Sequence, residues 1–251
     1  MVNKKNIALF SAAFLITLVV KAPASLLDAW VGNASSGAVA LANPSGTIWS
    51  GSATPVLNLR QGAPLPLERM AWTVSLRSIL SGKILLELRE NASPQKPPAE
   101  IYLGMHQVEL RNLAIELPAA AMGALDPLLQ AMHFQGQVGI SSDNLALQHN
   151  GSVTGKMVAT WQRAGSALSP LNPFGNYRFD LSGTGDRIQI GLSTVSGDLQ
   201  LNGQGAWLPS GKLNFQTTAR AVGTGREVFS EMLHHLGPET EPGVYLFKVG
   251  S

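Results

Sequence analysis

Tyr177-Arg178-Phe179-Asp180-Leu181-Ser182-Gly183-Thr184-Gly185-Asp186-Arg187-Ile188-Gln189-Ile190-Gly191-Leu192-Ser193 is the stretch that decides the fold. Tyr177, Phe179 and Leu181 alternate with Arg178, Asp180 and Ser182; Ile188, Ile190 and Leu192 alternate with Gln189, Gly191 and Ser193. A period of two marks strands with one buried and one wet face. Gly183-Thr184-Gly185 between them is short, and a link this short joins only antiparallel neighbours.

The pattern continues outward in both directions. Downstream, Leu199 and Leu201 alternate with Asp198, Gln200 and Asn202, while Leu213, Phe215, Thr217 and Ala219 alternate with Asn214, Gln216 and Thr218. Val195-Ser196-Gly197 and Pro209-Ser210-Gly211 are the hairpin-like separators, so this half is a meander. Upstream, Met70, Trp72, Val74 and Leu76 share one face, and Ile84, Leu86 and Leu88 another. Val108 and Leu110 are even-numbered whereas Leu113, Ile115 and Leu117 are odd. The apolar parity flips at Asn112, which implies either a β-bulge or a break between two strands.

Helices are few. Asp126-Pro127 reads as an N-cap followed by proline at the first helical position, leading into Leu128, Leu129 and Met132. Val228, Phe229, Met232, Leu233 and Leu236 form a helical stripe stopped by Gly237-Pro238. The last strand is expected over Gly243–Val249. Asn91–Pro98 holds three prolines and reads as a loop, so a sub-boundary is placed at 91–99.

The N-terminus fixes a location. Lys4 and Lys5 precede an apolar run from Ile7 to Val20; after Lys21 no lysine or arginine occurs until Arg60. Basic residues on the near side alone orient such a segment with its N-terminus in the cytoplasm. The run is 14 residues, about 21 Å of helix, against a hydrocarbon core of about 30 Å. A span therefore starts near Asn6 and passes Lys21, whose ammonium can snorkel, with Trp30 at the interface and Pro23 kinking the helix or starting a second one. The other reading is a cleaved signal peptide, for which Ala22-Pro23-Ala24 has the small-x-small form. The expected layout is a cytoplasmic tail over 1–5, a transmembrane anchor over 6–31 and a periplasmic β-rich domain over 32–251. The expected fold is mainly β: an N-terminal transmembrane helix, then an antiparallel meander sheet, curved or partly closed, with one or two short helices.

Composition narrows the function. Hydrophobic residues make up 45%, enough for a real core. Of 18 basic and 16 acidic residues, setting aside Lys4, Lys5, Lys21 and Asp28 leaves 15 of each. A neutral exported part with no basic stripe does not bind nucleic acid. With no cysteine, disulfides, thiolate metal sites and a lipoprotein anchor are excluded.

No catalytic signature follows. His234 and His235 are adjacent and point about 100° apart on a helix, while His106, His133 and His149 are scattered. Glu231 lies four residues before His235, but solvated helix-end histidines are the better reading. Asp180 with Asp186, and Glu87 with Glu90, read as solvated strand faces and turns. There is no nucleophile elbow, phosphate-binding loop or zincin motif. Trp49, Trp161 and Trp207 read as core packing, or else as an exposed sugar- or lipid-contacting row. Catalytic, cofactor, metal and specific binding residues are therefore not assigned.

Several ordered blocks carry a resemblance: Pro23–Leu27, Ser45-Gly46-Thr47-Ile48-Trp49-Ser50-Gly51, Leu171-Asn172-Pro173-Phe174-Gly175-Asn176-Tyr177, Gly197–Trp207, and Met232-Leu233 through Leu236-Gly237 to Gly243-Val244-Tyr245. Together they resemble the type II secretion system protein N family over essentially the whole chain. The resemblance implies a bitopic protein of the Gram-negative inner membrane with a periplasmic domain and no catalytic residues. Its expected role is accessory to type II secretion, by protein contact with the inner-membrane platform or the secretin. A different class of function comes from the strands themselves: a meander with one apolar face and little helix to cover it leaves a groove, and an apolar groove in the envelope suggests a lipid-binding protein.

Overall fold

A computed structural model describes residues 13–14, 17–59, 63–75, 77–78, 82–90, 97–124, 127–169, 171–208, 210–223 and 225–250. The chain divides into two compact units, residues Met1–Asn58 with Ala63–Pro98, and Leu59–Gly62 with Ala99–Ser251.

In the first unit, helix α1 (Ser25–Ala34) precedes strands β1 (Val39–Gly46), β2 (Ser50–Leu57), β3 (Leu65–Pro66), β4 (Met70–Ser75) and β5 (Lys83–Glu90). They pair antiparallel in the order β1-β2-β4-β5, with β3 against β2. Ala24, Ala53 and Trp72 form its core, joined by Leu27 from α1 and by Leu41, Leu86 and Leu88 from the sheet.

The apolar run Ile7–Val20 lies mostly outside the described residues. Among the described residues no helix is long and apolar enough to cross a membrane. The expected span does not continue as one helix to Val31. Residues 17–20 are helical; the chain then turns at Lys21, and Pro23 bridges Thr47. Ala24 N–H donates to the Gly46 carbonyl (3.1 Å) and Ile48 N–H to that of Ala22 (3.0 Å). Proline lacks an N–H and restricts the residue before it, so the helix stops there and α1 starts afresh. Trp30 is exposed on α1.

The second unit holds β6 (Ala99–Gly104), β7 (Gln107–Pro118), a 3-10 helix (Ala119–Ala124), α2 (Pro127–Ala131), β8 (Phe134–Gln148), β9 (Val153–Ser166), β10 (Gly175–Thr184), β11 (Ile188–Ser196), β12 (Leu199–Trp207), β13 (Leu213–Ala221), α3 (Gly225–Leu236), β14 (Glu239–Glu241) and β15 (Val244–Val249). From β6 to β13 each strand pairs antiparallel with the next. The run departs from a meander only at its end, where β15 lies between β13 and β14. Among the described residues β14 pairs with β15 and not with β6, so the sheet is open; the partial closure allowed by the sequence is not observed.

At Asn112 the strand does not break. β7 runs through it, with Asn112 in the left-handed conformation at φ 53°. Arg111 still opposes Asn144 and Leu113 opposes Ser142. The compensating bulge falls between β8 and β9, at Ser141/Asn144. Arg111 and Asn112 are both exposed, and Leu110 and Leu113 both half-buried, so the apolar side chains stay on one face. This is the bulge alternative rather than two strands.

Candidate functional site: the apolar face of the long sheet

The registers place the apolar residues of the second unit on one face. Ile140 opposes Ala159, which opposes Phe179, which opposes Leu192, which opposes Gly203. Thr217 and Phe247 continue the row. One step away, Val138, Trp161 and Tyr177 are in register. The other face carries Lys156, Arg178, Asp180, Gln189, Gln204 and Gln216.

Antiparallel order sends alternate connections to opposite ends of the sheet. The 3-10 helix, α2, the 167–174 loop and α3 all fall at one end. The short turns after β6, β8, β10 and β12, with the end of β15, fall at the other. The helical end is sealed. Phe229 and Leu233 of α3 pack on Tyr177, Leu192, Leu199, Ala219, Ala221 and Tyr245. Phe174 stands edge-on to both Trp161 (5.7 Å) and Phe229 (6.4 Å). The buried Tyr177 hydroxyl donates to the Leu199 carbonyl at 2.7 Å. Burial holds this phenol above its ordinary range.

Toward the turns the cover is lost. Along β15, exposure rises from 6% at Tyr245, through a half-buried Phe247, to 52% at Val249; along β12 it rises from 7% at Leu199 to 50% at Trp207. Leu147 and Leu103 are exposed at the same end. Val153, Ile188, Trp207 and Leu208 line a notch there of about 290 Å³, with Arg187 on its rim.

Two glycines of the Gly197–Trp207 block keep this face flat. A Cβ on Gly203 would lie 2.7 Å from Phe215 Cζ, and one on Gly205 2.7 Å from Phe215 Cδ2. The Phe215 ring therefore occupies the space that side chains would take on β12. The other blocks have comparable local roles. Trp72 lies where a Cβ on Gly51 would be, 2.6 Å away. Asn172 accepts from Ser166 N–H (2.8 Å) and donates to the Ser166 carbonyl (2.9 Å), while Asn176 accepts from Arg163 N–H (2.7 Å).

The polar face has a broader hollow of about 870 Å³, lined by Lys156, Arg178, Asp180, Arg187, Gln189 and Gln204 among others. Its carboxylates are engaged. Arg178 holds Asp180 through Nε and Nη2, and Arg187 with Thr184 holds Asp186; both carboxyls lie below their usual range for that reason. At β6–β7, the buried Glu109 accepts from Gln107 (2.6 Å) and Arg111 (2.9 Å), and Arg111 lies 4.6 Å over the Tyr102 ring. The Tyr102 hydroxyl donates to Glu100, which raises its pKa.

Of the scattered histidines, His149 donates its backbone N–H to the His106 carbonyl at 3.0 Å. His234 stacks edge-on to Tyr245 at 5.7 Å, and the His235 side chain lies outside the described residues. Glu231 is exposed, Glu87 opposes Thr73 and Glu90 opposes Met70. Among the described residues no three metal-ligating side chains converge. The three tryptophans divide. Trp161 is half-buried against the core and donates to the Gln135 carbonyl; Trp49 donates to the Val19 carbonyl; Trp207 is exposed at the open end. Sequence periodicity located the apolar face but not its sealed and open ends, which depend on where α3 packs.

No curated protein and no solved structure matches the chain. A family model, type II secretion system (T2SS), protein N, matches residues 37–248 and so takes in the described strands of both units up to Lys248 of β15. The chain belongs to the protein N family of the type II secretion system.

Proposed function

We propose that this chain is an accessory part of the type II secretion apparatus that acts by protein contact, without catalysis, on the periplasmic side of the inner membrane. The family match over residues 37–248 carries this reading. Its contacts are with other secretion components, of the inner-membrane platform or the secretin.

The charge asymmetry around Ile7–Val20 supports a retained inner-membrane anchor. The bonding of Ala22 and Ala24 argues against cleavage after Ala24. Both are buried, and cutting there frees a segment that accepts from Ile48 N–H and spans to Thr47. The Trp49 indole also donates to the Val19 carbonyl at 2.9 Å, which ties the upstream helix to the β-unit.

Deleting the chain should trap folded secretion substrates in the periplasm while general export continues. Cross-links from exposed polar-face positions should capture secretion components. Unimpaired secretion after deletion would reject the assembly role, and a mature protein starting at Ser25 would reject the anchor.

A further inference from the structure

We infer that the apolar face of the second unit holds an acyl chain of an anionic phospholipid, which enters at the open end beside Trp207 and leaves its phosphate against Arg187 and Lys212. The first argument is the burial gradient. The face is sealed by Phe229 and Leu233 at one end and runs out to exposed Trp207, Leu147 and Val249 at the other. An exposed apolar surface ending in a tryptophan, whose ring is apolar and whose N–H is polar, suits a boundary between acyl chain and water.

The second argument is length. Val153 to Ala159 on β9 is six strand steps, about 20 Å at ~3.3 Å each, and Val153, Gly155, Met157 and Ala159 on this face are all half-buried. One leaflet of a bilayer supplies an acyl chain of about 15 Å, half of a hydrocarbon core of ~30 Å. The partly exposed stretch of the face is long enough for one chain.

The third argument is charge. Among the described residues the open-end turns carry Arg187 and Lys212 against one carboxylate, Asp186. Asp186 is engaged by Arg187 through Nε (3.1 Å) and Nη2 (2.9 Å). A guanidinium has five N–H donors, so Arg187 can hold Asp186 and a phosphate oxygen together.

The fourth argument concerns what the face offers an occupant. The strand backbones are paired along the ladder, and the row from Ile140 to Phe247 has Thr217 as its polar side chain, whose hydroxyl bonds the Asn202 carbonyl. An extended peptide laid there would have unmet N–H and C=O groups, each costly to bury. An acyl chain has none.

The test uses the full chain in vesicles of phosphatidylethanolamine with or without phosphatidylglycerol. A photo-reactive benzophenone residue is placed at Phe215 on the apolar face or at Gln216 on the polar face. The expected result is a phospholipid adduct, identified by mass, at 215 and not at 216. Arg187→Glu and Lys212→Glu should each cut the phosphatidylglycerol adduct about fivefold, equivalent to ~1 kcal/mol per basic residue. They should leave the phosphatidylethanolamine adduct unchanged, and Arg187→Lys should retain the yield. No lipid adduct at 215, equal adducts at 215 and 216, a protein adduct at 215, or charge reversals without effect would each overturn the proposal. None of these results bears on the trapping of secretion substrates, so this inference and the assembly role fail separately.

Discussion

Replacing Phe229 by alanine tests whether α3 seals one end of the apolar face. The side chain is 0% exposed and its ring meets Phe174 edge-on at 6.4 Å. Burying a phenylalanine contributes roughly 1.5–3 kcal/mol, and an edge-to-face pair adds about 0.5–1.5 kcal/mol. Together these overlap the ~3–5 kcal/mol typical of truncating a buried phenylalanine. Phe229→Ala should thus destabilise the chain by about 3–4 kcal/mol. Val228 is the internal control: it is the preceding residue of the same helix but 41% exposed, so Val228→Ala should cost under ~0.5 kcal/mol. With a urea slope of about 2 kcal/mol per molar, the Phe229→Ala midpoint should fall by roughly 1.5–2 M. Urea titration of the strand circular dichroism signal measures both variants. A shift under about 0.5 M for Phe229→Ala, or equal shifts for the two, would show that α3 does not close that end.

Three further outcomes are expected. Tyr177→Phe should cost about 1–3 kcal/mol at neutral pH, because the Leu199 carbonyl loses its buried donor. Burial raises the Tyr177 pKa in the folded state, so its stabilisation is complete below the unfolded value of about 10 and is lost as pH rises above it; urea titrations at pH 7 and above 10 should show the gap to wild type narrowing. Gly203→Ala should destabilise by about 1–3 kcal/mol through overpacking against Phe215, and much less in a Phe215→Leu background, as a double-mutant cycle would read. Asp28→Ala should cost about 1.5–3 kcal/mol, the range for a hydrogen bond to a charged group, and speed hydrogen exchange at the Leu41 amide that Asp28 accepts from at 2.7 Å; Asp28→Asn, which keeps an acceptor, should recover most of the loss.

The meander was legible because hydrophobic alternation and hairpin length act locally. Tyr177, Phe179 and Leu181 lie on the face that their spacing demands, and the Gly183–Gly185 link joins antiparallel neighbours. The Phe229 and Leu233 stripe was legible for the same reason, although Val228, placed on that stripe, is exposed. What the pattern could not supply was long-range. Asp28 was grouped with the anchor, yet its carboxylate holds an edge strand thirteen positions on. Ala22 and Ala24 fit a cleavage site by size, and the same smallness lets them pack beneath the β1–β2 turn. Ala219, on the apolar face by its alternation, is buried against Leu201 and Tyr245. Alternation gives a residue its face, but only tertiary packing decides whether that face is covered.

The sheet edges narrow how a protein of this kind can make contact. An unpaired edge strand is a template for adding another strand. β14 is three exposed residues, Glu239–Glu241, two of them acidic, between Pro238 and Pro242. At β1, Asp28 takes the Leu41 N–H, and the strand is interrupted by a register shift between Ala42 and Ser45, where Asn43 has φ 50° before Pro44. Charge, proline and irregular register are devices that refuse a new strand. Strand addition at either of these edges is therefore disfavoured. In the assembly role proposed above, contact is assigned instead to the polar face, where Lys156, Gln189 and Gln204 line the larger hollow. That assignment leaves the apolar face to a ligand without backbone polar groups, and the proposed assembly and lipid contacts meet at Arg187, which lines both the polar-face hollow and the notch beside Trp207.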